Sequence, residues 1–174
     1  MDLKKIIREI PDFPIKGISF KDITTLLKEK DCIHYTINNI VENFKDFGIT
    51  KVIGIEARGF ILGGAIANEL KAGFIPVRKS GKLPGEKVIE MYDLEYGTDK
   101  VEMHADALTK NDIVLIHDDL LATGGTALAV LKMVNKLGIK NVYFCFICDL
   151  EFIKTKPKEI IKEYNPYILV KYQK

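Results

Sequence analysis

Two adjacent carboxylates, Asp118 and Asp119, follow the apolar run Val114-Leu115-Ile116-His117. After them come Leu120-Leu121-Ala122-Thr123-Gly124-Gly125-Thr126-Ala127. The run reads as a buried strand over Ile113 to His117, the small and hydroxyl residues as a loop, and Thr126 as the start of a helix. In an open α/β sheet, ligands bind at the carboxyl ends of the strands. Free N–H groups at a helix start, with glycines that let a ligand approach, make an anion site. Thr123 and Thr126 add hydroxyl donors, so this half suits a phosphate. Adjacent carboxylates can accept hydrogen bonds from two vicinal hydroxyls, or help hold a divalent cation. A phosphate cradle beside diol acceptors describes a ribose 5-phosphate. Either half alone would read as a solvated Asp-Asp turn or an ordinary Gly-rich helix start. Their junction, directly after a buried strand, favours a ligand. Neither G-x-G-x-x-G nor G-x-x-x-x-G-K-[ST] occurs, which disfavours a dinucleotide fold or a P-loop.

The other reactive residue types give weaker patterns. Cys32, Cys145 and Cys148 are an odd count in a chain with no visible export signal, which suits a reduced, cytoplasmic setting. Cys145 and Cys148 sit inside an apolar run that reads as a buried strand. Residues three apart on a strand point to opposite faces, so core packing is expected there rather than a zinc site. His34, His104 and His117 are scattered, with no i, i+4 pair. His117 is expected to be packed and hydrogen-bonded, on the strand face opposite Asp118.

The elements that must carry these residues alternate strand and helix, the mark of a parallel α/β sheet. Helical spacing runs from Asp31 to Phe47, with Gly48 as its stop. Val52–Ile55 is a short strand, and Phe60 to Ala72 a helix whose Gly63, Gly64, Ala65 and Ala67 suggest close packing. Phe74–Arg78 is the next strand, with Pro76 pointing to an edge or a strand end. From Lys79 to His104 the alternation breaks. A basic turn, Lys79–Gly85, leads into a strand pair, Val88 to Tyr96 and Val101 to His104, turning at Gly97-Thr98-Asp99. An excursion of this length is often a mobile functional element. Thr126–Leu137 then reads as a helix, Asn141–Cys148 as a strand, Pro157–Glu163 as a helix and Tyr167–Val170 as the final strand. The first thirty residues, broken by Pro11, Pro14 and Gly17, read as a small cap.

Composition sets the outer bounds. The chain of 174 residues, 47% hydrophobic and 29% charged, is globular and long enough for one core, so residues 1–174 are read as a single domain. With 26 basic residues against 24 acidic, no tail or stripe announces a nucleic acid. No apolar run is long enough for a membrane-spanning helix, and no membrane partner is expected.

The segment Asp118 to Thr126 resembles the phosphoribosyl pyrophosphate motif of the type I phosphoribosyltransferases, and in detail the adenine-using branch of that family. Asp12-Phe13-Pro14 with Gly17, Phe20, Asp22 and Ile23 resembles the family's N-terminal hood, over residues 1–30. Gly54 to Phe60 resembles its pyrophosphate loop. Arg78 to Gly85, with Leu94-Glu95-Tyr96-Gly97, resembles its flap, over residues 79–104. The likeness runs in order from about residue 11 to residue 150. It implies an open, mainly parallel sheet flanked by helices, with a hood and a flap hairpin. It also implies transfer of a phosphoribosyl group from phosphoribosyl pyrophosphate to N9 of adenine, a step in purine salvage. Magnesium (Mg2+) would arrive mainly with the pyrophosphate, a homodimer is usual, and the compartment is cytoplasmic.

Residue by residue, the resemblance assigns the sugar and phosphate to Asp118, Asp119, Ala122, Thr123, Gly124, Gly125, Thr126 and Ala127 within the motif 113–127. Arg58 would meet the pyrophosphate, with a cis peptide at Glu56-Ala57. Arg78, Lys79 and Lys82 would close over it. Glu95, beside Tyr96, would take the N9 proton. Phe20 would stack on adenine, backbone groups of Ser19 and Lys21 would read its edge, and Leu150 would pack from the other side. Lys21 stands where arginine is frequent, and Ser19 where an aliphatic residue is frequent. Two alternatives share the fold: a 6-oxopurine phosphoribosyltransferase, and a non-catalytic sensor of phosphoribosyl pyrophosphate or purines that binds nucleic acid. Chain length and the near-neutral charge argue against the sensor.

Overall fold

The apolar runs become the middle of a seven-stranded sheet in a computed structural model that describes residues 1–13, 16, 18–93 and 97–173. At the N-terminus, α1 (Leu3–Ile6), β1 (Arg8–Ile10), β2 (Phe20–Asp22) and α2 (Thr24–Leu27) form a small unit. Its two strands pair antiparallel, Ile10 opposite Phe20 and Glu9 opposite Lys21. Then follow α3 (Lys30–Phe44), β3 (Lys51–Ile55), α4 (Arg58–Glu69), β4 (Gly73–Lys79), β5 (Lys87–Asp93) and β6 (Thr98–His104). The chain closes with β7 (Ile113–Leu121), α5 (Gly125–Lys136), β8 (Asn141–Leu150), α6 (Lys156–Glu163) and β9 (Tyr167–Tyr172). The strand order is β5-β6-β4-β3-β7-β8-β9. β4, β3, β7, β8 and β9 run parallel, and the β5–β6 hairpin joins antiparallel at the β4 side.

Strands buried on both faces need near-continuous apolar runs, and β3, β7 and β8 carry them at Val52–Ile55, Val114–Ile116 and Val142–Cys148. Ile53, Ile116 and Phe144 share one face with Val130, Met133 and Val134 of α5 and Ile161 of α6. Val52, Leu115 and Cys145 share the other with Ile40 and Phe44 of α3, Leu62 and Ile66 of α4, and Ile23 and Leu26 of the N-terminal unit. Two cores thus sandwich the sheet and leave the carboxyl ends of β3, β7 and β8 as the place where loops can vary.

Several expectations shift in detail. β7 continues through Asp118 and Asp119 to Leu121, because β8 runs beside it with Asp118 opposite Phe146 and Leu121 opposite Asp149. Ladder pairing overrides the turn preference of the two aspartates. Thr98 and Asp99 lie in β6, opposite Asp93 and Tyr92, rather than in the turn. Pro76 lies inside the sheet, yet β4 is paired with β6 only at Arg78 and Lys79, so the proline meets no ladder on that side. Of the two glycines expected to pack closely, Gly63 does, since a methyl there would come within 2.9 Å of the Phe74 ring, whereas Gly64 has open space around it. Cys145 and Cys148 are buried free thiols packed into the same apolar cluster, as core packing required, and burial raises both. Among the described residues, no helix is long and apolar enough to cross a membrane.

Candidate active site

The chain leaves β7 at Leu121 and must turn at once into α5. Gly124 makes that turn in the left-handed region, with φ 79, as the N-cap of α5. The first N–H groups of α5 are therefore presented at the end of the sheet, where they favour an anion. Asp118, Ala122, Thr123, Gly124, Gly125, Thr126 and Ala127 line one small pocket of about 70 Å³ there, backed by Leu120, Leu121 and Phe146. The loop is braced from behind by α6. The Thr155 hydroxyl caps α6 by accepting from Lys158 N–H at 3.3 Å, and it donates to the Thr123 carbonyl.

The two aspartates do different things. Asp119 is buried and paired with the Arg58 guanidinium. Asp118 opens onto the pocket and accepts the Asp119 N–H at 2.9 Å. Burial, and next the neighbouring Asp119 carboxylate, push Asp118 well above the usual carboxylate range. Arg58 is the first residue of α4, two positions earlier than the sequence reading begins that helix. α4 starts there because it is seated directly on β7: a methyl at Gly59 would lie 2.9 Å from the His117 carbonyl and 3.1 Å from an Asp118 oxygen. The Arg58 guanidinium lies 5.0 Å from the centre of the Phe20 ring, a cation–π contact that ties the N-terminal unit to the end of the sheet. Phe13 meets Phe20 edge-on at 5.2 Å.

A second group forms where β3 and β4 end. The Glu56-Ala57 peptide is cis, at the position expected. The Glu56 carboxylate accepts from the Arg78 guanidinium at 3.1 Å and from the Lys79 N–H at 2.9 Å. Burial opposes its charge, but those bonds outweigh it and leave Glu56 below its ordinary value. Arg78 also donates to the Lys82 carbonyl at 3.4 Å, and the Lys79 ammonium stands 3.4 Å from Asp99. The structure therefore gathers Arg58, Asp118, Asp119 and Phe20 in one place, with Arg78, Lys79 and Lys82 beside the loop that carries Arg58.

The Lys21 side chain turns away from Phe20 into a buried site, where it pairs with Glu9 at 2.5 Å and donates to the Ser19 hydroxyl at 3.1 Å. Leu150 is buried at the last position of β8. His117 is fully buried with Nδ1 3.2 Å from Cys145 Sγ, and burial lowers it to about 4. Glu95 and Tyr96 fall outside the described residues.

Several participants escaped the sequence reading. Glu102 is buried on β6 and accepts the Lys82 and Leu83 N–H groups, both at 2.8 Å, so it pins the start of the basic segment. Tyr92 donates to Asp99 at 3.1 Å and lies beside Thr126 and Asp118. Lys158 is buried on α6, with its ammonium 2.5 Å from Asp149 and 3.4 Å from the Leu121 carbonyl. A lysine three residues before Ile161, on the buried side of the helix, was the available signal. For Glu102 it was a charge between Val101 and Met103 in a buried strand.

Known proteins with this architecture agree on one family. The model of the phosphoribosyl transferase domain matches residues 19–171. An adenine phosphoribosyltransferase of Bacteroides thetaiotaomicron is 58% identical over 154 residues, covering 88% of each chain. The crystal structure of adenine phosphoribosyltransferase from Rhodothermus marinus superposes with a TM-score of 0.90 at 46% identity, covering 98% of this chain and 96% of that one. The enzyme from Giardia lamblia, solved with 9-deazaadenine, gives 0.92 at 38% identity, covering 99% and 97%.

Proposed function

The chain belongs to the phosphoribosyl transferase family, and from that premise we propose that it transfers the 5-phosphoribosyl group of phosphoribosyl pyrophosphate to N9 of adenine, releasing AMP and pyrophosphate in purine salvage. The observation that carries this reading is the contact chain from the phosphate-sized pocket through Asp118 and Asp119 to Arg58 and on to Phe20. That chain supports a 5-phosphate site and a ribose site beside the groups that would meet, around C1, the departing pyrophosphate and the incoming flat base.

The 5-phosphate binds in the loop Ala122 to Ala127, on the N–H groups of α5 and the hydroxyls of Thr123 and Thr126. The ribose hydroxyls donate to Asp118 and Asp119. Their donation favours the charged form of Asp118, which burial alone disfavours. Arg58, with Arg78, Lys79 and Lys82 of the flap, meets the pyrophosphate. The C1–O bond loosens first and its electron pair leaves with the pyrophosphate. The N9 lone pair of adenine then closes on C1, and Glu95 takes the N9 proton. Orientation and charge stabilisation supply most of the acceleration. Adenine lies between Phe20 and Leu150, its edge read by backbone groups of Ser19 and Lys21. β2 pairs with β1 in a two-stranded sheet, so its other edge carries no strand and its backbone groups there are available to a ligand.

Mg2+ belongs to the substrate in this reading. The Arg58 guanidinium occupies one oxygen of Asp119, which leaves the other for a ribose hydroxyl rather than for a metal. The ion, bound to the pyrophosphate, neutralises charge on the leaving group. The enzyme is a cytoplasmic homodimer in this reading. Family likeness supports the dimer, and three buried free thiols suit the reduced compartment.

The direct test offers adenine, hypoxanthine and guanine in turn, with phosphoribosyl pyrophosphate and Mg2+, and separates the products by chromatography. Selective AMP is expected. Selective IMP or GMP would overturn the base assignment and keep the sugar-phosphate site. No product from folded protein that still binds phosphoribosyl pyrophosphate would favour a sensor.

A further inference from the structure

The two walls of the base slot come from distant parts of the chain, Phe20 from β2 and Leu150 from the end of β8. Something must set the distance between them, and one aromatic residue is tied to both strands, by its backbone to the end of β8 and by its ring to Lys21 of β2. Tyr172, the last residue of β9, stands opposite Leu150 in the ladder, and the Glu151 N–H donates to its carbonyl at 2.9 Å. Its side chain leaves the sheet toward the N-terminal unit and is only 3% exposed. The Lys21 ammonium lies 4.4 Å from the centre of the Tyr172 ring, and the Lys4 ammonium lies 5.1 Å from it.

Lys21 is the immediate neighbour of Phe20, and alternation along β2 sends the two side chains to opposite faces. Lys21 itself is 5% exposed. A buried ammonium is costly unless it is paired and solvated by other groups. Here Glu9, the Ser19 hydroxyl and the tyrosine ring together supply that environment. Without the ring, the ammonium loses one whole side of its shell. It then regains solvation most easily by moving outward, which takes β2 and Phe20 with it.

We propose that Tyr172 and Lys21 are positioning residues, a clamp between the C-terminal strand and the hood that sets the spacing of Phe20 and Leu150 and so tunes affinity for the purine rather than for the sugar phosphate. The idea rests on the function proposed above. It also gives the C-terminal strand a task and gives Lys21 one that does not depend on touching the base. The ring face is the active part, since the Tyr172 hydroxyl has no hydrogen-bond partner among the described residues.

The test compares Tyr172→Leu, Tyr172→Phe and Lys21→Met with the unaltered full-length chain. Loss of a desolvated cation–π contact predicts a rise in the KM for adenine on the order of tenfold in Tyr172→Leu and in Lys21→Met. The KM for phosphoribosyl pyrophosphate should stay within about twofold, and Tyr172→Phe, which keeps the ring, should behave as the parent. A parallel rise of both KM values, an unchanged adenine KM in both altered chains, or a Tyr172→Phe chain as impaired as Tyr172→Leu would overturn the clamp. Hydrogen exchange at the Phe20 to Asp22 amides gives a readout independent of turnover. Exchange should quicken in Tyr172→Leu and Lys21→Met and not in Tyr172→Phe; equal rates in all would refute the clamp. If the parent chain made no AMP, the functional reading would fall while the exchange data still judged the contact. If Tyr172→Leu did not fold, Lys21→Met would decide from the other end.

Discussion

Gly124 carries two demands at the same time. It holds φ 79 to start α5, and a methyl placed on it would lie 2.8 Å from both the N and the Cα of Lys158. Left-handed backbone costs a residue with a side chain about 1–2 kcal/mol. Gly124→Ala should therefore lower Tm by roughly 2–8 °C, and push α6 from the loop. Calorimetry should show that fall together with a higher KM for phosphoribosyl pyrophosphate, whereas an unchanged KM would detach the loop from phosphate binding. Glu95 offers the contrasting case. Removing a general base typically costs at least about a hundredfold in rate. Glu95→Gln should lower kcat by about that factor and leave the adenine KM nearly unchanged. An unaltered kcat would show that another group takes the proton. The Gly124-Gly125 pair and the aspartates were legible because few residue types meet those demands. Lys158 was legible only as a lysine on the buried side of its helix, because that spacing does not say that its ammonium will sit between Asp149 and two strand-end carbonyls.

At the level of elements, the β5–β6 hairpin is tied down through both of its strands. Glu90 on β5 pairs with Lys132 and Lys136 on α5, at 3.7 and 2.5 Å. Glu102 on β6 holds the basic turn. The Leu83 N–H, against the opposing effect of burial, brings Glu102 down to about 2 from 4.5, with the Lys87 ammonium and the Lys82 N–H adding to it. Because the folded value is the lower one, the stability from Glu102 is complete above about pH 4.5. It is lost as the pH falls through about 2. A plot of Tm against pH should fall across that window, and less steeply for Glu102→Gln. Parallel profiles would show that this carboxylate does not anchor the turn. The hairpin itself was legible from its alternation, but its anchors lie on neighbouring elements that alternation does not name.

For the whole molecule, the expected working unit is a pair of identical chains. Light scattering during size-exclusion chromatography should give twice the mass of one chain across the active peak. A fully active single chain would overturn that assembly. The near-balance of 26 basic against 24 acidic residues also predicts weak retention on heparin, as suits an enzyme of small anions rather than a nucleic-acid binder.

What could be read along the chain was whatever depends on neighbours in sequence. The order of strands and helices follows from periodicity, and the phosphate loop from two aspartates and two glycines after a buried run. Three-dimensional packing settled the rest. Asp118 and Asp119 are adjacent in the sequence, yet one faces the pocket and the other is taken by Arg58, because α4 is seated on β7 at that point. Lys21 stands beside Phe20, yet its side chain belongs to a ring 151 positions away. Such partnerships arise from the closing of the sheet and the docking of the N-terminal unit on its end. Local preference is blind to them, because the energy of a buried charge depends on what surrounds it in space.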